Sequence, residues 1–229
     1  MDEQLYEIRI RPTRPGERIE IALTYPPLVA PGGAVLFSPQ PFLGGDLDNN
    51  VLRELSRALA GSGLPVLRFN YRSVGGSHPV TPKTQRYEYW KQVEEEQRHE
   101  TVLEDAREAF DRTKGLFQPH LLCGYSFGAY VALRLAESRA PELPLVLIAP
   151  PLSRLDFSAL KRRTAPALVV MAGSDEFEPR LTDSPAGLIG SARLTVLEDA
   201  GHFFLGHEQA LAELVAEFLD EVPELELIA

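Results

Sequence analysis

The chain has 229 residues, 33 acidic and 23 basic, with a net charge of −10 and 44% hydrophobic residues, enough to bury one sizeable core. No basic stripe suits a phosphate backbone, so nucleic acid is excluded as a partner and the acidic excess reads as solubility. No stretch approaches the roughly 18 uninterrupted apolar residues of a membrane span, and the single cysteine, Cys123, excludes an internal disulfide.

Residues 4–11 (QLYEIRIR) and 18–25 (RIEIALTY) alternate as half-exposed strands do, and PTRPGE between them predicts a hairpin turn. The opening MDEQLYEIRI is acidic and strand-like, unlike a basic-then-apolar leader, so a cytoplasmic protein is expected. GAVLFS (33–38) is a continuous apolar run, as in a strand buried on both faces. NNVLRELSRALAGSG (49–63) has helical spacing at Val51, Leu52, Leu55 and Leu59, then a glycine stop. LPVLRFNYR (64–72) predicts a strand, SVGGSHPVTPKT (73–84) a loop, and 86–114 a long polar helix with a stripe at Val102, Ala106, Ala109 and Phe110. HLLCGY (120–125) predicts a strand and FGAYVALRLAESR (127–139) a helix. LPLVLIAP (143–150), APALVVMAG (165–173) and ARLTVLED (192–199) read as further strands, and EQALAELVAEFLDE (208–221) as a closing helix. The order predicts one α/β domain over 1–229: a mostly parallel twisted sheet of about eight strands, antiparallel at its N-terminal hairpin, with helices on both faces.

In an open parallel sheet, chemistry gathers where strands end at their carboxyl side. Three reactive side chains fall there. GYSFG follows HLLC and places Ser126 at a strand-to-helix turn; GSDEFEP places Asp175 past ALVVM; GHFF places His202 past RLTVLED. A nucleophile, an acid and a base thus follow one another in the order Ser, Asp, His. The G-x-S-x-G pattern has a mechanical reason, because a serine on a tight turn needs room two residues to either side, which Gly124 and Gly128 supply. Asp156 and Asp183 rival Asp175 for the acid. Among the other histidines, His78 sits in a strand-exit loop where it lines a pocket, whereas His99, His120 and His207 suit the base position less well than His202. Cys123 reads as buried filler. Phe42, Tyr87 and Trp90 read equally as an apolar acyl pocket or as core. No metal-ligand spacing, G-x-G-x-x-G or P-loop appears, so no cofactor and no metal are expected.

Over essentially its whole length the chain resembles the alpha/beta-hydrolases, and most of all the small cap-poor members whose first loop reads H-P-H-P followed by G-G-x-x-D-N. Here that loop is SPQPFLGGDLDNN (38–50), followed by FNYRSVGGS (69–77) and GYSFG. It departs from the pattern in that Ser38 and Gln40 replace both histidines. The resemblance implies Ser126 as nucleophile, His202 as base and Asp175 as its orienter. It also implies two backbone N–H donors for an oxyanion: Phe127, and either Gln40 or Phe42, since Pro39 and Pro41 have no N–H. Gln40 is the first choice. A lid in this superfamily commonly follows the strand that here is LPLVLIAP, but few residues separate Pro150 from Ala165, so no large cap is expected. The site should be open, walled by 73–90, and suited to a small carboxylic ester. A thioesterase, amidase or peptidase using the same residues is the first alternative, and a non-catalytic scaffold the second. The oligomeric state is left open, homo-oligomer included.

Overall fold

The computed structural model describes residues 4–80, 85–178 and 186–222. Strands β1 (Tyr6–Ile10) and β2 (Glu20–Tyr25) form the hairpin, Tyr6 facing Tyr25 and Ile10 facing Ile21. Then come β3 (Gly32–Phe37), α1 (Asn50–Gly61), β4 (Val66–Asn70), α2 (Arg86–Glu95), α3 (His99–Arg112), β5 (Gln118–Tyr125) and α4 (Phe127–Arg139). The chain continues through β6 (Leu145–Ile148), β7 (Ala167–Ala172), the short α5 (Ala186–Ile189), β8 (Arg193–Leu197) and α6 (Glu208–Glu221). The strands form one eight-stranded sheet in the order β1-β2-β4-β3-β5-β6-β7-β8, with β2 antiparallel to both its neighbours, β1 and β4, and every other pair parallel.

Period-two alternation sorts the strand side chains onto two faces. From β3, Val35 and Phe37 enter one core with Trp90, Val102, Ala106 and Val131, from α2, α3 and α4. Ala34 and Leu36 enter the other, with Leu52, Leu55 and Leu59 of α1 and Leu211, Val215 and Phe218 of α6. Each fully buried aliphatic side chain contributes about 1.5–3 kcal/mol, so both helical layers are held by the sheet they cover. Asn49 starts α1 by accepting a hydrogen bond from the Val51 N–H, 3.0 Å away.

Two expectations need correction. β2 is not half-exposed: Ile19, Glu20, Ile21 and Ala22 are all buried, because β1 and β4 flank the strand and loops and helices cover both its faces. The single long helix over 86–114 is two helices. At the end of α2 the Gln97 and Arg98 N–H groups bond back to the Glu94 and Val93 carbonyls at 3.2 and 3.0 Å, with Gln97 at φ 49°. That is a Schellman stop, usually built on glycine and here on glutamine.

The strand order reverses at β3: the chain steps outward to β4, then crosses back to β5 on the other side. Such a switch point opens a crevice between the carboxyl ends of the two diverging strands. Here those are β3, which leads into the 38–45 loop, and β5, which leads into Ser126.

Candidate active site

Ser126 lies between the last residue of β5 and the first of α4, with φ 54° and ψ −120°. A non-glycine residue there costs on the order of 1–3 kcal/mol. The surrounding contacts over-determine the turn. The Ser126 N–H donates to the Ile148 carbonyl at 2.8 Å. A Cβ on Gly124 would meet the Gly128 carbonyl oxygen at 2.1 Å, and one on Gly128 would meet the Phe37 oxygen at 2.1 Å. Both glycines are therefore required by close approach, and the second one lets α4 press against the end of β3.

The Ser126 Oγ is 3.1 Å from His202 Nε2, and His202 Nδ1 is 2.8 Å from Asp175 Oδ2. An ionised carboxylate only accepts, so Nδ1 carries the proton, Nε2 accepts, and the serine hydroxyl donates to it. Burial opposes ionisation of Asp175, yet the His202 hydrogen bond and the Phe177 and Glu178 N–H groups outweigh it and hold the carboxyl below its ordinary range. Ser126 and His202 are buried. The loop carrying His202 is pinned from beneath: the Tyr125 hydroxyl donates to the His202 carbonyl at 2.8 Å, and the His202 N–H donates to Glu176 Oε2 at 3.1 Å. Tyr125, the residue between Gly124 and Ser126, is a positioning residue that the sequence reading passed over. Its spacing in GYSFG marks it only as a strand residue.

A cavity of about 170 Å³ opens above the serine, lined by Gln40, Phe42, Leu43, Glu94, Ser126, Phe127, Pro151, Arg154, Leu155, Phe177 and His202. Phe177 and Phe203 stand edge-on to the imidazole at 4.9 and 5.6 Å between centroids, and both are partly exposed. The rim is therefore open, with apolar rings on the histidine side and the exposed Arg154 beside them. Phe127, as first residue of α4, has no helical carbonyl for its N–H, and Gln40 faces the same cavity from the β3 side. The Gln40 side chain donates from Nε2 to Glu94 Oε2 at 2.6 Å, which ties the 38–45 loop to α2. Ser38 takes no part in the cavity: its hydroxyl donates to the Phe69 carbonyl at 2.8 Å and joins the ends of β3 and β4.

The other expected side chains divide. Phe42 lines the cavity and Tyr87 packs on it with tilted rings, 4.7 Å between centroids, itself exposed. Trp90 is core, packed on Tyr71 and Tyr89. His78 is exposed and away from the cavity, engaged through its backbone with Ser73 and Arg18. Asp156 caps a turn by accepting from the Ser158 N–H at 2.8 Å, and Asp183 lies outside the described residues. Glu178 is a residue the sequence reading missed: buried, it accepts from the Ser153 N–H and hydroxyl at 3.0 and 2.8 Å, so it braces the Pro151–Leu155 side of the cavity against the Asp175 turn. Between β6 and β7 the chain makes only the 3-10 turn Ser158–Arg162. A larger cleft of about 610 Å³ lies between the 14–18 turn and α3, but its arginines face Glu17, Glu104, Glu108 and Asp111 within it. Among the described residues no cluster of His, Cys, Asp and Glu is arranged to hold a metal ion, and no helix is long and apolar enough to cross a membrane.

No family model matches the chain. It is 24% identical over 201 residues to an uncharacterized protein of Rickettsia prowazekii, covering 81% of this chain and 77% of that one. Among solved structures it is similar to an alpha-beta serine hydrolase homologue from Coxiella burnetii, 26% identical at TM-score 0.74, covering 93% of this chain and 97% of that one. It is also similar to a lidless α/β serine hydrolase from Xanthomonas campestris, 28% identical at TM-score 0.73, covering 93% of this chain and 94% of that one. The sheet order, the turn at Ser126 and these likenesses together make the protein a member of the alpha/beta-hydrolase superfamily.

Proposed function

We propose that the protein is a serine hydrolase that cleaves small carboxylic esters through an acyl-enzyme. The observation that carries this reading is the hydrogen-bonded line from Ser126 Oγ through His202 to Asp175, on a serine held at positive φ. In this reading Ser126 Oγ attacks the ester carbonyl while His202 Nε2 takes its proton. Asp175 fixes the tautomer and stabilises the imidazolium, and His202 then delivers the proton to the leaving alcohol. A water deprotonated by His202 next attacks the acyl-enzyme and returns the serine. The Phe127 and Gln40 N–H groups would bind the oxyanion, each worth roughly 3–4 kcal/mol in the transition state.

The cavity and its rim support the substrate class. About 170 Å³ is below the usual range of roughly 300–1,000 Å³ for drug-sized ligands, which suits a short acyl group. Leu43, Phe177 and Phe203 form an exposed apolar border for the rest of the ester, and the short β6–β7 connection leaves no insertion there to close over it. No cofactor enters this chemistry. The same reading takes the partner to be a small-molecule acyl substrate met in the cytoplasm, with the acidic excess serving solubility.

The test is turnover of p-nitrophenyl esters from acetyl to lauroyl, beside Ser126→Ala. We expect the optimum at short acyl chains, and a loss on the order of 10⁶-fold in kcat for the variant. Wild-type turnover no faster than the variant on every ester would sink the esterase reading.

A further inference from the structure

The edge of the sheet carries an inference independent of the active site. Among the described residues no strand pairs with β1 on its outer side, and all five of its residues are exposed. Natural edge strands are commonly blunted by proline, lysine or a bulge. β1 has none of these. Its sequence is Tyr6-Glu7-Ile8-Arg9-Ile10, so one face presents Tyr6, Ile8 and Ile10, exposed by 42%, 46% and 38%. That stripe continues onto β2 through half-buried Leu23 and Tyr25, which face Ile8 and Tyr6.

We propose that β1 pairs with β1 of a second copy of this chain, antiparallel about a two-fold axis through Ile8, so that the two sheets become one. The charges on the strand argue for this occupant and this register. In a two-fold antiparallel ladder centred on Ile8, Tyr6 faces the other copy's Ile10, Ile8 faces Ile8, and Glu7 faces Arg9. The ladder therefore holds two aromatic–aliphatic pairs, one aliphatic pair and two opposite-charge pairs, the combinations that stabilise neighbouring strands. Neighbouring two-fold registers fail: centring on Glu7 opposes two carboxylates, and centring on Arg9 opposes two guanidinium groups.

Within one chain these charges already lie in an alternating row. Arg9 donates to Asp48 at 2.8 Å and to Glu7 at 3.0 Å, and Glu7 in turn meets buried Arg68. The second copy extends the alternation, because each Glu7 gains a further cation and each Arg9 a further anion. The same row ties the Glu7 and Arg9 side chains to Asp48 and Arg68 before any pairing, so less ordering entropy remains to be lost. The opposite edge, β8, lacks these features: its exposed Arg193 and Val196 lie on opposite faces, and the strand is not charge-complementary to itself.

Ile8 sits on the proposed axis, and that makes the test direct. Light scattering behind size exclusion, across micromolar concentrations, is expected to give wild type at twice the 25.4 kDa chain mass. Ile8→Lys brings two ammonium groups together and should run as a monomer with unchanged ester turnover and circular dichroism. Ile8→Glu should do the same alone. An equimolar mixture of the two variants should return to the dimer mass, since a lysine then faces a glutamate across the axis. Wild type at the monomer mass throughout the range overturns the proposal, as does a dimer that Ile8→Lys leaves intact. Failure of the mixture to re-associate places the interface elsewhere and overturns it too.

Discussion

Ser126 occupies a backbone conformation that a side chain resists, and the strain has a measurable consequence. At φ 54° glycine is the residue at ease, and the positive φ of a serine is tolerated only because Gly124, Gly128 and the Ile148 carbonyl fix the turn. Ser126→Ala keeps the Cβ and hence the strain, whereas Ser126→Gly releases it. Both variants should be inactive, but Ser126→Gly should be the more stable by about 1 kcal/mol, the lower end of the cost of such a conformation. Equilibrium denaturation in urea checks this; equal midpoints and slopes for the two variants would show an unstrained turn. This much of the site is legible in the sequence, because GYSFG spells out the turn and its glycines. Tyr125 and Glu178 are not. One anchors a loop 77 residues away in sequence and the other a segment 25 residues away, and a one-dimensional pattern carries no mark of either partner.

The break between α2 and α3 decides what stands opposite Ser126. An uninterrupted helix over 86–114 would follow from the sequence, which has neither glycine nor proline there. Gln97 nevertheless adopts positive φ, α2 ends, and Glu94 faces the cavity with its carboxylate on Gln40. Gln40 stands where the resemblance would place histidine, and its side chain ties to Glu94 the loop whose N–H we propose for the oxyanion. Cutting the tie with Glu94→Leu should lower kcat about 10–100-fold, the penalty expected when a donor drifts by up to about an ångström. KM should change little, because ground-state contacts remain. Glu94→Gln keeps an acceptor for Gln40 Nε2 and should restore most of the rate. If Glu94→Leu turns over at the wild-type rate, the side-chain tie does not position the loop. A rise in KM alone would make Glu94 a binding group instead.

Across the whole molecule, the strand and helix order follows from periodicity and from Pro and Gly punctuation, and α4 and α6 span the residues their patterns mark. Burial is less legible. RIEIALTY alternates like a strand with one wet face, yet Glu20 is buried because the 73–78 loop folds back over β2. There Glu20 Oε2 accepts from the Gly76 N–H at 2.7 Å and Asn70 Nδ2 at 2.8 Å, while Oε1 meets Arg11. Burial opposes its ionisation, but these donors prevail and hold its carboxyl below the ordinary 4.5. Asp48 is likewise held low, chiefly by its hydrogen bond with Arg9. A carboxylate whose folded value lies below its unfolded one stabilises the fold above the unfolded value and ceases to do so as pH falls through the folded one. Unfolding free energy should therefore hold above about pH 4.5 and fall below it, the ordinary carboxylate range setting the upper limit. Glu20→Gln keeps one acceptor for Gly76 and Asn70 and loses the charge. It should cost about 1–2 kcal/mol at pH 7, the increment that charge adds to a hydrogen bond, and should narrow its deficit to wild type as the pH is lowered through this window. Urea unfolding at several pH values reads both quantities. A deficit that stays constant with pH would mean that the bonds of Glu20, and not its charge, hold the loop to the sheet.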